Sequence, residues 1–259
     1  PGNYGESFVM RLLDPRNTVN SLDDIAFSPK LREAIMYAIQ KPHGVILTTG
    51  PTGSGKTTTL YAFLQHVYSS EVKIITIEDP IEYHLEGITQ TQVEEEKGYG
   101  FVAGLRAALR QDPDVIMVGE IRDEDTAKVA INAALTGHLV FSTLHTNTAA
   151  GTIPRLLDLE VNNKVLASAL SLSIAQRLVR KLCDTCMLPY ESNEKESRVI
   201  TSILGEMKVS GKEESMGNNS PLPSYTLFHS PGCEACAGTG YKGRIGIFEG
   251  IIMNQEIET

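Results

Sequence analysis

No run of about 18 or more apolar residues occurs in this sequence, which excludes a conventional membrane-spanning helix. No basic-then-apolar leader opens it either: Pro1-Gly2-Asn3-Tyr4 lacks the pattern of a secretory signal, so a cytosolic chain without membrane insertion is expected. Positive charge is in deficit, with 23 Lys and Arg against 32 Asp and Glu and a formal net charge of −9. That balance counts against a broad nucleic-acid surface, which needs cations to neutralise phosphates, though it leaves room for a small basic pore loop. Cysteine is scarce: the 4 present fall into two Cys-x-x-Cys pairs, and in a reducing compartment such usage favours metal ligation over disulfides. The opening on Pro1 and the ending shortly after Ile251-Ile252 read as a fragment of a longer protein.

What is present suits an α/β chain. A sequence of 259 residues, 41% hydrophobic, can bury one sizeable core beside a smaller unit. From Val45 to about Val179, short β-branched apolar runs alternate with amphipathic segments, the pattern of a parallel sheet flanked by helices. The expected strands are Val45–Thr49, Lys73–Ile77, Val115–Val118 and Leu139–Thr143. Each ends in residues able to carry chemistry, and ligands of open α/β sheets collect beyond the carboxyl ends of strands. Ser28 caps a helix opening on Pro29, with Leu31, Ala34, Ile35, Ala38 and Ile39 on one face; Leu60, Phe63, Leu64 and Val67 repeat that spacing. These stripes are core. After Pro189 the composition turns polar, giving a short helix and then a flexible stretch from Gly211 to Pro223. Three regions are expected: 1–20 as the tail of a truncated domain with its linker, 21–180 as the α/β core, and 181–259 as a cysteine-bearing appendage.

Gly50-Pro51-Thr52-Gly53-Ser54-Gly55-Lys56-Thr57 fits G-x-x-x-x-G-K-[ST] between an expected strand and an expected helix. Glycines let the amides from Gly53 to Thr57 turn toward one anion, and the helix N-terminus adds partial positive charge. Lys56 then reaches the β- and γ-phosphates, and the Thr57 hydroxyl takes a place on Mg²⁺. The alternative is a glycine-rich turn with an exposed lysine. The loop binds ATP or GTP and does not itself read the base.

Asp114-Val115-Ile116-Met117-Val118-Gly119-Glu120 is an apolar strand ending in an acid, as expected beside a phosphate loop. Glu120 is the residue expected to polarise the attacking water or to hold the Mg²⁺ water shell. Ile121-Arg122-Asp123 adds a cation and a second acid in the same turn. Glu78-Asp79-Pro80-Ile81-Glu82 ends another strand, and three carboxylates so close are costly without a cation. They form either a site shared with Mg²⁺ or a solvated acidic loop. His138 and His145 bracket Leu139–Leu144; each is either a structural group or a nucleotide sensor, and the strand-end position favours His145.

Cys183-Asp184-Thr185-Cys186 and Cys233-Glu234-Ala235-Cys236 present two thiolate hooks, which together complete a closed, structural zinc site of four cysteines. The alternative is four uncoordinated thiols or redox pairs. Zinc would replace the core that the polar stretch between the hooks cannot make.

Taken together, Gly50–Thr58, the box Ile77–Tyr83, the segment Leu109–Asp123 and the histidine box Thr136–Asn147 resemble the secretion-superfamily ATPases that drive type II secretion and type IV pilus assembly. The resemblance covers nearly the whole chain. It implies a RecA-like P-loop fold, with Gly50, Thr52, Gly53, Ser54, Gly55, Lys56, Thr57 and Thr58 around the phosphates and Glu120 as the Walker B acid. Glu78 becomes a further candidate for orienting water, and His138 and His145 match the box that couples nucleotide state to conformation. Gly5–Asp14 resembles the tail of the family's N-terminal domain, which makes Arg11 a candidate for stabilising transferring charge. The resemblance also implies a homo-hexamer with ATP, Mg²⁺ and Zn²⁺, at the cytoplasmic face of the inner membrane, acting on a membrane platform protein. The tetracysteine element favours assembly or secretion over retraction. Two rivals stay open: a nucleic-acid transport motor of the same superfamily, and a nucleotide-gated binding module without turnover. Pro154 falls where the helix after the histidine box would run, so that helix begins near Thr152 or bends there.

Overall fold

The protein is described by a computed structural model over residues 5–6, 21–206 and 223–253. The expectations for Arg11, and for the stretch from Gly211 up to Pro223, lie outside the described residues. The described helices and strands are α1 (Pro29–Ile39), β1 (Gly44–Thr49), α2 (Lys56–Val67), β2 (Ile74–Glu78), β3 (Thr89–Gln92), α3 (Phe101–Leu109), β4 (Val115–Val118), α4 (Glu124–Leu135), β5 (Leu139–Leu144), α5 (Thr152–Asp158), α6 (Asn163–Ala169), β6 (Leu170–Leu182), β7 (Leu188–Glu191), α7 (Glu194–Glu206), β8 (Thr226–His229) and β9 (Tyr241–Ile252).

A sheet of seven strands runs in the order β3-β2-β4-β5-β1-β6-β9. The ladders β2–β3, β2–β4, β4–β5, β1–β5 and β1–β6 are parallel, so the mostly parallel sheet flanked by helices is the observed architecture. Strands β1, β2, β4 and β5 are buried at every residue. This explains their continuous apolar runs: both faces are covered, so neither needs polar alternation. Ile46, Ile74, Met117 and Phe141 face Leu60, Phe63 and Leu64 of α2 with Ile35 and Ala38 of α1. Val45, Leu47, Ile77, Val118 and Val140 face Leu105, Ala127, Ile131 and Leu166 on the other side. Each fully buried Leu, Ile or Phe contributes roughly 1.5–3 kcal/mol.

Local signals start two of the helices as expected. The Ser28 hydroxyl accepts the Leu31 N–H at 3.3 Å, with Pro29 at the first helical position. Helix α5 begins at Thr152, so Pro154 lies in its first turn, where no intrahelical donor is required.

The chain leaves β1 for β2 and β4 on one side, comes back through β5, and only then reaches β6 on the other side of β1. That reversal makes the carboxyl end of β1 the topological switch point of the sheet, the place where open α/β sheets hold their ligands. Two compact units result, one reaching Leu178 and resuming at Gly246, the other Val179–Ile245. In the first, Phe248 of β9 stacks on Phe27 with ring centres 4.5 Å apart. In the second, β7 and β8 form an antiparallel ladder and α7 leaves Val199, Ile203 and Leu204 exposed. Among the described residues, no helix is long and apolar enough to cross a membrane.

Candidate functional site

Residues 50–55 make the turn between β1 and α2, and three of them need left-handed backbone: Gly50 (φ +143°), Gly53 (+76°) and Gly55 (+88°). A Cβ on Gly50 would stand 2.3 Å from the Gln176 carbonyl oxygen, so strand β6 leaves room there for glycine alone. The Ser54 N–H donates to the Pro51 carbonyl at 3.2 Å, closing the turn. Gly55 caps α2 with no side-chain hydrogen bond, leaving the first-turn amides of a twelve-residue helix facing the loop. Lys56 is nearly buried, and its Nζ donates to the carbonyls of Gly50 (3.0 Å) and Pro51 (3.2 Å). Burial pushes its ammonium pKa down, an effect the nearby Glu120 carboxylate opposes. Thr57 and Thr58 are half-buried and Thr52 is exposed on the loop. The donor set suits a polyphosphate: the amides of an uncapped helix start, one ammonium and a hydroxyl.

Hydroxyl side chains stitch the strand ends together at this edge. Thr49 Oγ1 accepts the Thr146 N–H at 2.7 Å and donates to the Leu144 carbonyl at 3.0 Å. Thr143 Oγ1 donates to the Gly119 carbonyl at 2.8 Å, and Ser142 Oγ to that of Val118 at 2.7 Å. The tail of β5 is thereby fixed to β1 on one side and β4 on the other, which brings His145 and Glu120 together. Glu120 Oε1 lies 2.5 Å from an Arg122 nitrogen and Oε2 lies 3.3 Å from His145 Nε2, with the carboxylate side chain only 13% exposed. The bond to Glu120 raises the Arg122 pKa, and the charge of Asp79 adds to it. Asp123 instead caps α4, accepting the Thr126 N–H at 2.8 Å.

Two expected members stand in other settings. Glu78 is 2% exposed and its oxygens are taken up by three donors: the Tyr61 hydroxyl, the Thr76 hydroxyl and Gln90 Nε2 at 3.0 Å. Burial, then the bond to Glu78, pushes the Tyr61 pKa far up, so the phenol stays a donor. The carboxylate thus ties α2 to β2 and β3, with three of its roughly four acceptor directions engaged. His138 precedes β5 at the edge opposite the phosphate loop, where its carbonyl accepts the Gly44 N–H at 3.2 Å and its Nδ1 lies 2.9 Å from the Ala133 carbonyl at the end of α4. Only His145 of the pair joins the Glu120 cluster. Thr49, Tyr61 and Gln176 support the site without any local motif announcing them.

In the second unit, the Sγ atoms of Cys183, Cys186, Cys233 and Cys236 all lie within 4.8 Å of one another. The separations 183–233 (3.9 Å), 186–236 (4.0 Å) and 233–236 (3.8 Å) fit four thiolates about 2.3 Å from one tetrahedral ion, whose sulfurs stand about 3.8 Å apart. The Cys233 N–H draws the Cys236 thiol down to about 6, the Thr185 N–H lowers Cys183, and desolvation pushes Cys186 up to about 11.

Residues 1–259 match the family described as type II/IV secretion system protein. The type II secretion system protein E of Dickeya dadantii is 46% identical over 259 residues, which are 100% of this chain and 48% of that protein. The type IV pilus assembly ATPase PilB of Thermus thermophilus is 44% identical over 257 residues, 99% of this chain and 27% of that protein. The chain spans about half the length, or less, of the curated relatives it matches. The crystal structure of the pilus retraction motor PilT with bound ADP aligns with a TM-score of 0.55 and 42% identity, covering 63% of this chain and 50% of that one.

Proposed function

The chain belongs to the type II/IV secretion system protein family, and from that premise we propose that it binds ATP with Mg²⁺ and hydrolyses it as the motor portion of a type II secretion or type IV pilus-assembly machine. One observation carries the reading: Lys56 heads the helix that follows β1, and just past the end of β4 the Glu120 carboxylate is held between Arg122 and His145, where its charge opposes the desolvation of the Lys56 ammonium. In this reading the loop Gly50, Thr52, Gly53, Ser54, Gly55, Lys56, Thr57 and Thr58 takes the phosphates, and the Thr57 hydroxyl holds Mg²⁺. Such an ion would supply charge neutralisation at the phosphates. Glu120 orients the attacking water and accepts its proton; His145 positions that carboxylate. Glu78 braces α2. Arg11 is the cation offered for transferring charge. Cys183, Cys186, Cys233 and Cys236 hold a structural zinc.

A homo-hexamer acting on an inner-membrane platform protein, at the cytoplasmic face, belongs to the same proposal and rests on kinship with the secretion and pilus-assembly relatives. The net charge of −9 favours a protein partner over nucleic acid. Phosphate release tests the central claim. Wild type should turn over ATP at a rate per chain that rises with protein concentration as rings form. Glu120→Gln should lose about 100-fold or more in turnover while ADP affinity stays within about threefold. A wild type that binds nucleotide without turnover at any concentration would overturn hydrolysis; steep, salt-sensitive stimulation by DNA would favour a nucleic-acid motor.

A further inference from the structure

We propose that Gln176 is a positioning residue for nucleotide binding, a role that rests on the phosphate-loop reading above and deepens it. Its Nε2 donates to the Ser54 carbonyl at 2.7 Å across 122 positions of sequence. The Ser54–Gly55 peptide is planar and trans, so its carbonyl and its N–H point in opposite directions. Holding the carbonyl toward Gln176 of β6 therefore fixes the Gly55 N–H in the opposite direction, facing away from that amide. The same strand crowds Gly50, whose φ of +143° leaves the Gln176 carbonyl 2.3 Å from where a Cβ would stand, and Nε2 itself lies 3.2 Å from the Cβ direction of Gly55. One residue thus sets the backbone of both ends of the loop.

Gln176 is 3% exposed, and its Oε1 has no hydrogen-bond partner among the described residues. A buried amide left half-satisfied is a cost that a hydrocarbon side chain would avoid. The donor half explains its presence, since a carbonyl oxygen can be met only by a donor. The strand is also built to aim this side chain. Between β1 and β6 the ladder slips by one residue: Val45 pairs with Leu170 but Ile46 with Leu172, leaving Ser171 as a bulge. Beyond it Thr49 pairs with Ala175, which places Gln176 beside Gly50. Without the inserted residue every later side chain of β6 would switch faces, and the amide would point away from the loop.

The test measures binding of Mg-ADP to this chain by titration calorimetry, beside the unfolding midpoint of the nucleotide-free protein. Gln176→Met keeps the length and removes the donor; Gln176→Asn keeps the donor but withdraws it by one methylene. Both should bind Mg-ADP about tenfold more weakly, the scale of one lost hydrogen bond to a preorganised loop. A bond that served only the fold would lower the unfolding midpoint and leave the dissociation constant of the folded protein unchanged. Should the Met variant not fold, the Asn variant decides. Wild-type-like affinity, within twofold, in a folded variant overturns the inference. Absence of Mg-ADP binding by wild type would instead overturn the phosphate-loop reading on which it stands.

Discussion

His145 Nε2 meets Glu120 Oε2 at 3.3 Å across the tails of two neighbouring parallel strands, β5 and β4. The contact exists because Thr49 clamps the backbone of Thr146 and Thr143 clamps that of Gly119, so both partners leave stiff strand ends. The opposite oxygen of Glu120 is held by Arg122. A carboxylate gripped from both sides has a fixed direction, which is what a group that must orient a water requires.

Replacing His145 by Ala should lower turnover by about 10- to 100-fold, the scale of a misplaced catalytic group, and leave Mg-ADP affinity within about twofold. Steady-state kinetics beside calorimetry read the two separately. If affinity falls in step with turnover, His145 contacts nucleotide and does not act through Glu120.

Tyr61→Phe removes one of three donors to buried Glu78 and should destabilise the chain by about 1–3 kcal/mol in denaturant unfolding. Because the oxygens of Glu78 serve α2, turnover of the folded variant should stay within a few fold. A stable variant with abolished turnover would return Glu78 to the water.

Burial lowers the Lys56 pKa in the folded chain relative to the unfolded one. Over the interval between those two values the unfolded state binds more protons, so this group opposes folding below the folded pKa and its penalty fades as pH rises. Phosphate affinity runs the other way, weakening once the ammonium deprotonates. Mg-ADP binding should therefore begin to fall at a pH below the ordinary lysine value of about 10.4, whereas Lys56→Arg should give a flatter profile. A wild-type profile as flat as that of the arginine variant would refute the assignment of Lys56 to phosphate.

Elemental analysis of the purified chain should give about one zinc per chain, and chelation should lower the unfolding temperature. Cys183→Ser should reduce both metal content and stability, since it removes a buried member of the proposed ligand set. Metal-free protein with unchanged melting would leave the cysteines as thiols.

Where a structural element is written in consecutive residues, the sequence was enough to place it. The glycines, Lys56 and Thr57 form strand, turn and helix within a short window, and the apolar run Val115–Val118 ends two residues before its acid. Each of these depends on local backbone preference and on periodicity. The paired Cys-x-x-Cys hooks are equally local, although only folding shows their sulfurs within 4.8 Å.

Placement in space obeyed other rules. Glu78 and Glu120 look alike on paper as acids ending apolar strands. One is buried against Tyr61 and Gln90, and the other is held between Arg122 and His145 beyond the end of β4. His138 and His145 flank the same strand, and its length sends them to opposite ends of the parallel ladder. Gln176 carries no motif at all; a one-residue slip in a ladder aims it at the loop. Residue identity and short-range spacing determined which groups could bind phosphate or metal. Strand pairing, made between segments far apart in the chain, decided which of them meet, because hydrogen-bond register and burial belong to the assembled sheet and to no single stretch of sequence.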